Sequence, residues 1–299
     1  MTDFLRGPVR VPDNRTMARA RARSGAPTRS AATNIHDDTT AQKLGFRGGT
    51  IAGSIHMDQF PPVLMDAFGP EWFETGSLSL AFKNATISGD PVIAMVGVPP
   101  VKHDVQVEAR MEQPDGTVVA EGTASVGTPP DTDTHLSSID LRPTDPGELR
   151  LLAGIRAGHP LAGHDDVLDG RAAKARIDAG ALTEPLGWYV DDTPWGAPIA
   201  SPSSMVQLLR NRAGDFGPAI AEAVGLFGAI EIRHHHGPVL VGQRYHVEGA
   251  VVAVGASPKT EYVWYDSRAT DESGRLVASM RMQLRWMKAS SPLYRDSDG

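Results

Sequence analysis

Residues 34–53 read Asn34-Ile35-His36-Asp37-Asp38-Thr39-Thr40-Ala41-Gln42-Lys43-Leu44-Gly45-Phe46-Arg47-Gly48-Gly49-Thr50-Ile51-Ala52-Gly53. An imidazole stands beside two carboxylates. A short helix-forming run follows, and a glycine-rich lead then opens into a longer helical stretch that ends near Phe68-Gly69. Asp38 is expected to cap a run from Thr39 to Leu44, with Gly45 as its stop. Such a segment can set a general base beside a helix start, where backbone N–H groups polarise a carbonyl and favour developing negative charge. The catalytic candidates are His36, Asp37 and Asp38. The substrate-binding candidates are Asn34, Ile51, Gly53 and Ser54. Plainer roles stand beside these: Asp38 as a cap only, Asn34 as an Asx turn, and Gly53 as a tight start to the helix.

Downstream, Pro61 and Pro62 fall inside the first long helical stretch and predict a kink or two short helices. Strands follow at Ser77 to Phe82 and Val92 to Val96. The alternating run His103 to Met111, a turn at Pro114-Asp115-Gly116 and the return Thr117 to Val126 make a hairpin. The second half repeats the order. Pro198 to Ser201 lead into a helix with Ser201 as cap and Pro202 in its first position. Ala229 to Arg233 and Tyr245 to Val254 read as strands, and Thr260 to Arg268 pairs with Arg275 to Met287 across a turn. Ile51 and Ile199 lie 148 residues apart, and Gly89 and Gly242 lie 153 apart. Retained order and spacing predict two copies of one unit, each a helix wrapped by an antiparallel sheet: an α+β fold.

The resulting organisation is an arginine-rich arm (1–29), a first unit (30–127), a proline-rich linker (128–150), a second unit (151–288) and a tail (289–299). The arm holds seven arginines within the first 30 residues and is expected to be loosely ordered, with a strand around 16–24. Its prolines and missing apolar face argue against a transit peptide.

Composition narrows the functions. The 299 residues hold no cysteine, which removes disulfides, thiolate metal sites and cysteine nucleophiles. A formal charge of −7 argues against a nucleic-acid binder. No apolar run is long enough to span a membrane, and a cytoplasmic location is expected. His234-His235-His236 alternates along a strand with no nearby carboxylate, so no metal is expected there, and no redox cofactor is expected because no motif for one occurs. No P-loop, dinucleotide fingerprint or nucleophile elbow occurs.

The 34–53 segment resembles the MaoC-like hot-dog family, which includes the R-specific enoyl-CoA hydratases. His36, Ala41, Gly45-Phe46 and the turn at Gly48 to Gly53 match its pattern, as does Ser88-Gly89-Asp90 further on. The resemblance covers residues 30–127, and about 195–287 through the second copy. It implies a double hot-dog acting on an acyl thioester of coenzyme A or an acyl carrier protein, with the acyl chain between the units. It implies hydration of a 2-enoyl thioester, or the reverse dehydration, with His36 as base, Asp37 or Asp38 assisting and the Gly53 N–H polarising the carbonyl. The family's aspartate position is occupied by Ala31. Two other readings follow: a hot-dog thioesterase using Asp58 or Glu71, and a non-catalytic acyl-thioester binder. Either a monomer or a homodimer is compatible with two units in one chain.

Overall fold

The computed structural model describes residues 3–24, 34–130, 133–141, 144–182, 184, 186–191 and 193–294. Among the described residues, ten strands form one antiparallel sheet. The first half of the sheet holds β1 (Phe4–Arg6), β2 (Ser77–Phe82), β3 (Ile93–Gly97), β4 (Val105–Glu112) and β5 (Val118–Val126). The second holds β6 (Pro160–Val167), β7 (Gly225–His234), β8 (Arg244–Ala256), β9 (Thr260–Thr270) and β10 (Leu276–Met287). The spatial order β1-β3-β4-β5-β2-β7-β10-β9-β8-β6 reads as two equivalent five-stranded sets meeting at β2 and β7. The seam runs from Ser77 opposite Arg233 to Ala81 opposite Ala229.

Helices cover one face. In the first half they are α2 (Asp38–Lys43), α3 (Gly53–Met57), α4 (Pro61–Phe68) and α5 (Trp72–Thr75). The break between α3 and α4 falls where the two prolines predict it, because Pro61 supplies no N–H to continue the ladder and instead starts a new helix. Near the N-terminus and in the second half lie α1 (Asn14–Ser24), α6 (Gly170–Asp178) and α7 (Pro202–Leu209). α7 starts as its sequence predicts: the Ser201 hydroxyl accepts from Ser204 N, and Pro202 takes the first position. The segment expected as a strand at 16–24 is helical. The strand of the arm lies earlier, where Phe4 to Arg6 pair with β3.

Alternation along the seam decides what each face buries. Leu78, Leu80, Ile230 and Ile232 point toward the helices and join one continuous core with Phe60, Leu64, Met205, Leu208 and Leu209. Ala81 and Ala229 point the other way. Residues 134–141 of the linker cross that far face, where Leu136 is fully buried against Trp264 and Ala253. Leu136 N donates to Ser79 Oγ (3.0 Å) and Thr134 Oγ1 to Glu231 Oε2 (2.5 Å), so the linker is strapped to both strands of the seam.

Backbone bonding repeats between the halves. An isolated bridge joins Thr50 to Ile87 and another joins Ile199 to Leu240. Ile51 N donates to Thr86 O, and Ala200 N to Val239 O, each at 2.8 Å. Thr50 N donates to Ile35 O (3.0 Å) and Ile199 N to Trp188 O (2.9 Å). Four-residue turns close at Asn34–Asp37 and Gly187–Val190. The counterpart of Ile199 is therefore Thr50, one residue from the pairing expected from sequence. By the same bonds, Tyr189 stands where His36 stands, and Pro202 where Gly53 stands.

Candidate active site

His36 is held from below by its own turn and from above by the glycine-rich lead. Asn34 Oδ1 accepts from His36 N (3.2 Å), and Asp37 N donates to Asn34 O (3.0 Å), an Asx-type turn. The His36 Nδ1 lies 2.5 Å from Thr50 O. A carbonyl only accepts, so Nδ1 carries the proton and Nε2 is the basic nitrogen. Gly49 makes this fold-back possible: a Cβ there would lie 2.2 Å from His36 O.

The two acids work on the backbone. Asp37, rather than Asp38, is the N-cap of α2, with Oδ1 accepting from Thr40 N (2.9 Å). Asp38 Oδ1 accepts from Gly49 N (2.7 Å) and ties the glycine-rich turn to the helix. Arg47 pairs with Asp90 in the same region, which joins this turn to the Ser88-Gly89-Asp90 turn.

A cavity of about 550 Å³ lies between the two halves. His36, Ile51 and Gly53 line it, with Thr50, His56 and Phe82 on the first-half side. The opposite wall comes from the segment after α7 and the ends of β7 and β10, including Arg210, Asn211, Phe227 and Trp286. Asn34, Asp37, Asp38 and Ser54 are not among its lining residues. Gly53 opens α3, so its N–H has no acceptor within the helix. A Cβ at Gly53 would lie 2.4 Å from the Phe82 ring, so this backbone and that ring are in close contact.

His56 is the residue that sequence reading passed over. It sits three positions after Gly53, on the same side of α3, and that spacing was the available signal. Its ring is buried, Nε2 is 2.8 Å from Thr86 Oγ1, and burial lowers its pKa to about 4, so it is neutral at physiological pH. The cationic wall was also not foreseen. Lys83, Arg210, Arg212 and Arg285 line the cavity, and no Asp or Glu does among the described residues. Lys83 pairs with Glu121 and Arg212 with Asp166, each at 2.8 Å and partly exposed. The Arg210 guanidinium lies 5.4 Å from the centre of the Phe227 ring.

The other candidates lie elsewhere. Asp58 is fully buried at the end of α3 and pairs with Arg176 (3.0 Å). Burial pushes its carboxyl up, and Arg176 and Ser203 act against that rise. Glu71 pairs with His103, away from the cavity. His234 is buried, while His235 and His236 bond to Ser279 Oγ and Leu276 O, and no metal-binding group of His, Asp and Glu occurs among the described residues. Ala31 lies outside the described residues.

Known structures share this fold. A protein described as a MaoC domain dehydratase, from Chloroflexus aurantiacus, matches with a TM-score of 0.63 at 14% identity, over 96% of this chain and 95% of its own. A conserved hypothetical protein of Mycobacterium tuberculosis with a double hot-dog fold matches at 0.59 and 14%, over 96% of each chain. The chain is a double hot-dog. A MaoC-like dehydratase also matches this double hot-dog, at 0.51 and 13% identity over 95% of this chain and 97% of its own. No family model and no curated protein matches the sequence. No helix among the described residues is long and apolar enough to cross a membrane.

Proposed function

We propose that this double hot-dog adds water to a 2-enoyl thioester, or removes it from the 3-hydroxyacyl thioester, with coenzyme A or an acyl carrier protein as the carrier. One observation carries the reading: His36, with its tautomer set by Thr50 O, shares a cavity with the Gly53 backbone. Water placed beside Nε2 attacks C3 of the enoyl group and gives its proton to the imidazole. Electron density moves through C2 onto the thioester oxygen, where the Gly53 N–H stabilises it. The imidazolium returns the proton to C2, so that H and OH are added and His36 is regenerated. Asp37 and Asp38 assist at one remove, by fixing the loop that carries His36. Lys83 and Arg212, at the cavity wall, would exchange their partly exposed partners Glu121 and Asp166 for the phosphates of the carrier.

The test is incubation of the purified protein with crotonyl-CoA and longer 2-enoyl-CoAs, following both loss of the conjugated double bond and release of free CoA. Hydration that falls by about 10²-fold or more in His36→Ala is the expected result. Undiminished hydration in that variant overturns the mechanism. Free CoA without hydration would make the protein a thioesterase, and acyl-CoA binding with neither activity would make it a binding module. The acid-free lining, and the pairing of Asp58 with Arg176 and of Glu71 with His103 outside it, weigh against the thioesterase.

A further inference from the structure

At the second unit's counterpart of the Gly53 helix start sits a side chain of the first unit. Tyr189 takes the place of His36, and its hydroxyl is buried. Pro202 takes the place of Gly53 and has no N–H to offer a carbonyl. Into this position comes Asp58, the C-cap of α3. Asp58 Oδ1 accepts from Ser203 N (2.8 Å) and Oδ2 accepts from Ser203 Oγ (2.5 Å) and from Arg176 Nη2 (3.0 Å). Arg176 also donates to Ser203 Oγ and, through Nη1, to Ser204 Oγ (3.1 Å). Asp58 is fully buried, and the Arg176 side chain is 12% exposed.

α3 has only five residues, and its N-cap Ala52 makes no side-chain bond. Its start is fixed by Ile51 N bonding to Thr86 O and by His56 bonding to Thr86 Oγ1, each at 2.8 Å. Its end is fixed by the Asp58 cluster. We propose that Asp58 and Arg176 are positioning residues for the reaction: the start of α7 in the second unit grips the end of α3 and so sets the Gly53 N–H and the cavity wall around it. This rests on the hydratase reading of Gly53. In that picture the second unit has exchanged a ligand-binding role for a bracing one. A thioester carbonyl faces the backbone in one unit and an internal carboxylate faces it in the other.

Asp58→Ala, Asp58→Asn and Arg176→Gln test this, with turnover of crotonyl-CoA, binding of saturated butyryl-CoA, and the spectral red shift of a bound 2,4-hexadienoyl-CoA, which reports polarisation of its carbonyl. In folded Asp58→Ala, kcat is expected to fall about tenfold or more, since small misplacements of a catalytic group are costly. The red shift should shrink while butyryl-CoA binding changes less than about threefold. Added acetate should restore melting temperature, red shift and kcat together, and chloride should restore none. Asp58→Asn, which keeps an acceptor for Ser203 N, should retain more activity than Asp58→Ala. If Asp58→Ala does not fold, Asp58→Asn and Arg176→Gln carry the same readouts. Full kcat and full red shift in a folded variant would overturn the proposal. A wild-type protein that neither binds nor hydrates any thioester would overturn the hydratase reading and the positioning role with it. Acetate rescue of the melting temperature would then report the grip alone.

Discussion

His36 and Gly53 act in the proposed reaction through a ring nitrogen and a backbone N–H, so their neighbours are constrained more by shape than by charge. A Cβ at position 53 would meet the Phe82 ring at 2.4 Å. Gly53→Ala should therefore lower kcat/KM for crotonyl-CoA by about tenfold or more, with loss of stability limited to about 1–3 kcal/mol for overpacking. Adding Phe82→Ala should recover part of the activity, and no recovery would mean that the ring is not the obstacle. Asp38 carries a different expectation. Asp38→Ala removes the acceptor of Gly49 N and should cost about 1–3 kcal/mol in denaturant unfolding, yet hydration should fall much less than in His36→Ala. Equal losses in the two variants would return Asp38 to the chemistry. Two buried histidines set a pH dependence. Burial lowers His56 to about 4 and His234 to about 3, below the ordinary 6.5. As pH falls through 6.5 the unfolded chain takes up protons that the folded chain refuses, so stability is lost from there down toward the folded values. At pH 5 each histidine should have removed about 2 kcal/mol. His234→Leu should reduce the pH 7 to pH 5 loss of stability by about 2 kcal/mol, and an unchanged slope would count against it.

At the scale of elements, local rules governed what local bonds decide. Two short helices separated at Pro61, the Ser201–Pro202 start of α7 and the two late hairpins follow from proline chemistry, caps and period-two alternation. The misassigned features are instructive. Asp37 and Asp38 are adjacent acids with equal capping propensity. Asp37 won because Asp38 is drawn to Gly49 N, a partner 11 residues away. Asn14 to Ser24, which include the stretch expected as a strand at 16–24, form a helix that packs on α6. Asp37→Ala should lower stability by about 1 kcal/mol, the usual value of an N-cap, measured by denaturant midpoint. A larger loss would show that the cap also holds the His36 turn.

For the molecule as a whole, the two units share one sheet and one core, so they should not melt separately. Calorimetry should give a single transition, and two resolved transitions would contradict the shared core. The strap over residues 134–141 belongs to this scale, because it bonds to both strands of the seam. Leu136→Ala should cost about 2–5 kcal/mol and shift the whole transition rather than split off a part. The proline-rich composition of the linker concealed this, since isolated apolar residues among polar ones carry no periodic signal.

The sequence by itself determined the α+β class, the duplication and the hairpins, because each depends on periodicity, caps and spacing along the chain. It also disclosed the lead from Gly48 to Gly53, whose glycines are needed wherever backbone meets backbone or ring. Only the tertiary structure decided which groups surround the cavity. It left both acids beside His36 on backbone amides, brought His56 and a cationic wall to the site, and sent Asp58 across to Ser203, 145 positions away. Those outcomes depend on contacts between segments far apart in the chain. Side-chain identity does not encode such contacts until the sheet has brought the two units together.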